Sequence, residues 1–154
     1  MDLIAIAATC DPEAESNPQA IRAIRQLARW LQCSPAMARD HRKLDAFSLA
    51  DEFVVAIYQH TTRLPIGEQY GLQSQLRRAA LSAAANIVEG CGRDSLNDYL
   101  RFLDIAFASV REVLYLLTIA KRLSLIDDAS ATSLIKLGDR VAGSLLNLRR
   151  SLRR

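Results

Sequence analysis

At 154 residues and 17.1 kDa, with half its residues apolar and 24% charged, the chain is long enough to bury a core as one domain and is not composed like a disordered segment. Six Gly and four Pro argue against a turn-rich all-β chain, and no apolar run approaches the roughly 18 residues that a membrane span needs. A formal net charge of +3 and a pI near 9.0 permit contact with nucleic acid or another anionic surface without demanding it.

Residues 1–16 read as a tail. "MDLIAIAATC" has a short apolar core preceded by an aspartate rather than by lysine or arginine, so it is not read as a signal peptide. Asn17 and Pro18 make a good helix start, and Ile21, Ile24, Leu27, Ala28 and Leu31 share one face of a short helix over 18–32. "CSPAMARDHRK" breaks that pattern. Residues 1–41 are therefore expected to be an N-terminal extension, helical or disordered, ahead of a domain over 42–154.

Within that domain Leu44, Phe47, Ala50, Val54, Ile57 and Tyr58 give the first strong helical stripe, ending near Arg63. "LPIGEQYG" is a loop, because Pro65 and Gly67 both break helices. A second helix is expected from about Tyr70 to Val88. A third is capped by Asp94 or Ser95 and reaches about Leu123, and a fourth is capped by Asp127 or Asp128 and reaches about Arg149. The third carries two apolar seams. One runs through Leu96, Leu100, Leu103, Phe107, Val110, Leu114 and Leu117. The other runs through Tyr99, Phe102, Ala106, Ser109, Val113, Leu116, Ala120 and Leu123. Two seams need partners on two sides, supplied by one bundle or by a neighbouring subunit. The pattern is all-α, with no convincing strand and no internal repeat.

The second helix has an Ala-rich side, Ala79, Ala80, Ala83 and Ala84, which lets backbones approach closely. Its other side is polar: Gln75, Arg78, Ser82, Asn86 and Glu89 step by three or four. Arg78 and Glu89 lie about 16 Å apart along the axis, so neither can satisfy the other within the helix. Glu89 sits where a helix should end, at the unfavourable pole of the macrodipole. Gly90 reads as the residue after the cap, able to take positive φ, and Gly92 as a second flexible point. Arg93 then offsets Glu89 locally. A polar contact across a subunit boundary and a direct ligand or nucleic-acid contact are the alternatives.

Three segments carry a specific resemblance: "GLQSQLRRAALS" (Gly71–Ser82), "ANIVEGCGR" (Ala85–Arg93) and "YLRFLDIAFASVREV" (Tyr99–Val113). With "RKLDAFSLADEFVVAIY" (Arg42–Tyr58) as a first helix, the chain from about residue 42 onward resembles the four-helix-bundle proteins encoded within intervening sequences of bacterial 23S ribosomal RNA genes. The family commonly has a proline in an S-I-P-A-N-I stretch of its second helix, where this chain has Ala83, Ala84 and Ala85 before Asn86. This helix should be straighter for it. The resemblance implies an all-α fold, an antiparallel up-and-down four-helix bundle that assembles as a ring-like homopentamer, with no established activity. The fold is also similar to that of the accessory proteins of diversity-generating retroelements, basic pentamers that bind nucleic acid and a reverse transcriptase. That is an analogy of fold.

The charge is unevenly spread. Residues 1–40 carry four arginines and five acids, the remainder 16 basic and 12 acidic residues, and "RRSLRR" alone ends the chain with four arginines. One reading is therefore a non-enzymatic, oligomeric nucleic-acid-binding protein that contacts phosphates of RNA or DNA through Arg77, Arg78, Arg93, Arg101, Arg111, Arg149 and Arg150. Gln75, Asn86, Glu89, Gly90 and Gly92 are then structural or interface residues. No RNA-reading signature is present: Tyr58, Tyr70, Tyr99 and Tyr115 form no basic–aromatic platform. The second reading is a structural or adaptor oligomer that docks a protein partner.

An enzyme ranks last. His41 and His60 are isolated, and no GxSxG, P-loop, HExxH or helix-borne Glu-x-x-His pair occurs. No catalytic residue, cofactor or metal is expected. Cys10, Cys33 and Cys91 are odd in number and lack CxxC spacing, which fits a reducing cytoplasm. Cys91, between two glycines and near a helix N-terminus and Arg93, is in a setting that can lower a thiol pKa.

Overall fold

The computed structural model describes residues 39–154, so the helix expected over 18–32, Cys10 and Cys33 lie outside the described residues. Four helices make the body: α1 (Asp45–Thr61), α2 (Leu72–Cys91), α3 (Leu96–Arg122) and α4 (Asp128–Leu152). Single 3₁₀ turns precede α1 and α2, at His41–Lys43 and Ile66–Glu68. Among the described residues there is no strand. Each helix packs on the next and α4 closes on α1, which makes an up-and-down four-helix bundle.

The helix starts follow local chemistry. Before α2, the Glu68 carboxylate accepts the Leu72 N–H at 3.2 Å. Ser95, not Asp94, caps α3: its Oγ accepts the Asp98 N–H at 3.0 Å and donates to Asp98 Oδ2 at 2.6 Å, a reciprocal capping arrangement. Asp127, not Asp128, caps α4 by accepting the Ser130 N–H at 2.8 Å, and those hydrogen bonds hold its carboxyl below the usual aspartate value.

The end of α3 carries a feature that the sequence does not announce. Ser124 N–H bonds to Lys121 O and Leu125 N–H to Ala120 O, the paired bonds of a Schellman motif. Ser124 takes the left-handed position, φ 54°, where glycine is usual.

The core comes from all four helices. Phe53 and Ile57 of α1, Leu76 and Ile87 of α2, Leu103, Val110 and Leu117 of α3, and Val141 and Leu145 of α4 are fully buried. Each such side chain contributes about 1.5–3 kcal/mol relative to exposure. The alanine side of α2 is buried as expected, with Ala79, Ala80 and Ala83 at 1% exposure or less.

Both α3 seams are absorbed within one subunit. The seam through Tyr99, Phe102 and Ser109 meets α2, where Tyr99 and Phe102 press on Gly90 and Ser109 meets Ser82. The seam through Phe107 and Leu114 meets α4, at Arg149 and Gly138. Only their ends remain open, Leu96 and Leu123. The seams therefore carry no argument for a second subunit.

Candidate nucleic-acid interface

The polar side of α2 is a ladder to α3. Gln75 Oε1 accepts from Arg78 Nε (3.1 Å) and Nη2 (2.7 Å), and Arg78 Nη2 also reaches Glu112 Oε1 on α3 at 3.1 Å. One turn on, Ser82 Oγ and Ser109 Oγ are 2.9 Å apart. Asn86 Nδ2 donates back to Ser82 O at 2.7 Å and to Ser82 Oγ at 3.2 Å, so it fixes the serine that crosses to α3. Arg78 thus finds its partner on another helix, although its side chain stays largely exposed.

The Glu89–Arg93 reading is corrected. Glu89 is exposed and makes no ion pair among the described residues. The Arg93 guanidinium instead stacks on Phe102, 4.5 Å from the ring centroid, and its carbonyl accepts from Arg39 Nη1 at 3.1 Å. The aromatic face lies within reach and takes the planar cation.

Gly90 is corrected as well. It stays helical and buried, α2 continues to Cys91, and Gly92 is the cap at φ −83°. No described glycine has positive φ. Space, not dihedral freedom, favours glycine at 90: an added Cβ would stand 3.0 Å from Phe102 Cβ and 3.1 Å from Tyr99 Cδ2, tighter than most Cβ contacts.

Cys91 lies at the C-terminal end of α2, not at a helix N-terminus. It is 2% exposed, its sulfur is 4.0 Å from the Tyr99 hydroxyl, and burial pushes the thiol pKa up. That is the opposite of an activated nucleophile. The site is closed by Arg39, whose N–H donates to Cys91 O at 3.1 Å and whose guanidinium lies 4.4 Å from the Tyr99 ring centroid.

The seven arginines divide by their surroundings. Arg77 is half-buried: Nε donates to the buried Thr61 Oγ1 at 2.8 Å, and the guanidinium stacks 4.9 Å from the Tyr58 centroid. Arg149 pairs with Asp104 and lies over Phe107, leaving its side chain 18% exposed. Arg101, Arg111 and Arg150 are exposed, with no ion pair or hydrogen bond to another described residue. On the outer side of α3, Arg101 begins a strip continued by Ile105, Ala108, Glu112 and Tyr115, all exposed.

The turn between α1 and α2 builds what the linear order concealed. Tyr58, Tyr70, Arg77 and Arg78 line one open groove of about 820 Å³, with Ile66 and Leu81 at its edge. Tyr70 and Ile66 are each 88% exposed. The sequence separates Tyr58 from Arg77 by a loop and a helix turn, so no local motif marks the grouping. Among the described residues no group of three or more His, Cys, Asp or Glu could hold a metal ion. His60 Nδ1 donates to Ala56 O at 2.9 Å, at the end of α1.

A family model described as 23S rRNA-intervening sequence protein matches residues 42–147. The chain belongs to that family. The match spans the ladder, the α2–α3 turn and the groove, while Arg149 and Arg150 lie beyond it. A solved structure from Bacteroides thetaiotaomicron is similar. It is described as a protein of unknown function from the S23 ribosomal protein family, with a TM-score of 0.63 and 24% identity over 68% of this chain and 97% of that one. That likeness is one of fold. A comparison with curated proteins finds no match. Neither the family description nor that of the solved relative indicates a catalytic activity. No helix among the described residues is long and apolar enough to cross a membrane.

Proposed function

We propose that this member of the 23S rRNA-intervening sequence protein family is a non-enzymatic, cytoplasmic homopentamer that binds RNA or DNA through its arginines. The observation that supports this reading is the set of exposed arginines left over by the fold. The ion pairs among described residues occupy Arg42, Arg78, Lys121 and Arg149, while Arg101, Arg111 and Arg150 stay exposed without an acidic partner. Guanidinium groups free of carboxylates are suited to phosphate oxygens.

Binding of this kind releases counterions, so affinity for a labelled RNA should fall steeply between about 50 and about 200 mM salt. An affinity unchanged across that range overturns the reading. The subunit number rests on the family resemblance. Light scattering on the full chain with the 260/280 nm ratio tests mass and bound nucleic acid together, and a monomer mass overturns the pentamer.

A second reading, an adaptor that docks a protein, is favoured by one observation. Ile105 and Tyr115 are 40% and 65% exposed along the outer strip of α3. A pure pentamer free of nucleic acid, with no salt-dependent RNA binding, would support it.

A further inference from the structure

We propose that the groove at the α1–α2 turn binds a single-stranded segment of nucleic acid, stacking a base on Tyr70 and holding the adjoining phosphate with Arg77 and Arg78. The inference rests on the nucleic-acid reading above and names the substrate class and the residues for one site.

Three observations carry it. The groove is large enough, at about 820 Å³, for a nucleotide, and its floor and edges are Tyr58, Leu64, Ile66, Tyr70 and Leu81. Tyr70 offers an almost entirely open ring, 88% exposed, in the turn just ahead of α2. Base stacking on such a ring is sequence-tolerant and requires an unpaired base.

The charged residues that line the groove are both arginines; Arg78 is paired with Glu112 from outside the lining, so Arg77, with no acidic partner among the described residues, carries the uncompensated charge. This complements an anionic group such as a phosphate, and the open Tyr70 ring beside it suits a base next to that phosphate. Both guanidinium groups are also pre-positioned. Arg77 is tied through Nε to Thr61 and through Nη2 to Tyr58 O, and Arg78 through Nε and Nη2 to Gln75 and Glu112. Each keeps its Nη1 hydrogens uncommitted to any described residue. A held guanidinium loses less freedom on binding than a mobile one.

Duplex recognition would not use this arrangement, because a stacked base pair cannot present its face to Tyr70. The groove therefore separates single strands from duplexes, whereas Arg101, Arg111 and Arg150 would attract both.

The test is fluorescence anisotropy of the full chain with a fluorescein-labelled oligouridylate, comparing Tyr70→Ala with Tyr70→Phe. Tyr70 is exposed, so both variants should keep the wild-type melting curve. Tyr70→Ala is expected to weaken binding by about tenfold, in the range that loss of one stacked base produces, while Tyr70→Phe stays within about twofold. A duplex of equal length should bind Tyr70→Ala and wild type alike.

If the wild type binds oligouridylate with a steep salt dependence and Tyr70→Ala matches it, the groove inference fails and the wider nucleic-acid reading stands. If the wild type binds no single strand or duplex at low salt, the wider reading fails and takes this one with it. If Tyr70→Ala changes the mass seen by light scattering, the groove is a contact between copies and the inference is overturned.

Discussion

Gly90 of α2 and Phe102 of α3 approach so closely that a methyl group on Gly90 would stand 3.0 Å from Phe102 Cβ, a crowded contact. The opposing atom belongs to a side-chain root, fixed by the backbone of α3. Alanine in a helix is favoured over glycine by about 1 kcal/mol, but overpacking a close interface costs about 1–3 kcal/mol. Gly90→Ala should therefore lower stability by about 1 kcal/mol in a urea melt. An increase would mean that α2 and α3 separate without cost.

Gly143 provides the contrast. It lies inside α4, and a Cβ there would meet nothing within 4 Å. Propensity alone decides, so Gly143→Ala should raise stability by about 1 kcal/mol in the same melt.

Ser124 holds the left-handed slot that ends α3. That conformation costs a non-glycine residue about 1–2 kcal/mol, and glycine would give back about 0.4–1 kcal/mol through its freer unfolded chain. Ser124→Gly should raise stability by about 0.5–1 kcal/mol, read as a higher melting temperature.

The Tyr99 hydroxyl is buried, and that burial raises its pKa well above the ordinary tyrosine value of about 10. The folded chain thus holds this proton more tightly than the unfolded chain. Its contribution is fully present below about pH 10 and is lost as pH rises toward the folded-state value. Urea melts from about pH 9 to about pH 11 should show wild-type stability falling more steeply than that of Tyr99→Phe. Equal slopes would place the hydroxyl in water.

The bundle itself was legible because apolar spacing in α1, α3 and α4 and the alanine side of α2 follow directly from helical geometry. The caps were legible to within a residue, since Asp94 and Ser95, or Asp127 and Asp128, are chemically near-equivalent until one N–H chooses a partner. Sequence alone points to dihedral freedom at Gly90, because the residues that crowd it, Tyr99 and Phe102, belong to the next helix. Proximity along the chain points Arg93 to Glu89, whereas in the fold its guanidinium lies over the Phe102 ring. The Tyr58–Tyr70–Arg77–Arg78 groove had no signal at all, since it exists only after the α1–α2 turn folds back.

Glu89 is the residue whose meaning the structure changes most. It is exposed, at the negative pole of α2, without an ion pair among the described residues. Glu89→Gln should change the stability of the subunit by less than about 0.5 kcal/mol, as for a surface site of no special contact. Chemical denaturation and light scattering on one sample check this. Unchanged unfolding with a reduced mass would assign the carboxylate to a contact between subunits.

The topology also sets an order of assembly. α2 and α3 are joined by residues 92–95 alone, so their pairing closes a short loop at small entropic cost. α1 and α4 are the first and last helices, and their meeting must wait for nearly the whole domain to be in place. That seam also carries a surface hollow of about 610 Å³, lined in part by Ser48, Gly143 and Ser144. The α2–α3 hairpin, with its serine ladder and its glycine contact, is thus expected to form first, and the seam between the two ends of the domain is the edge expected to open first.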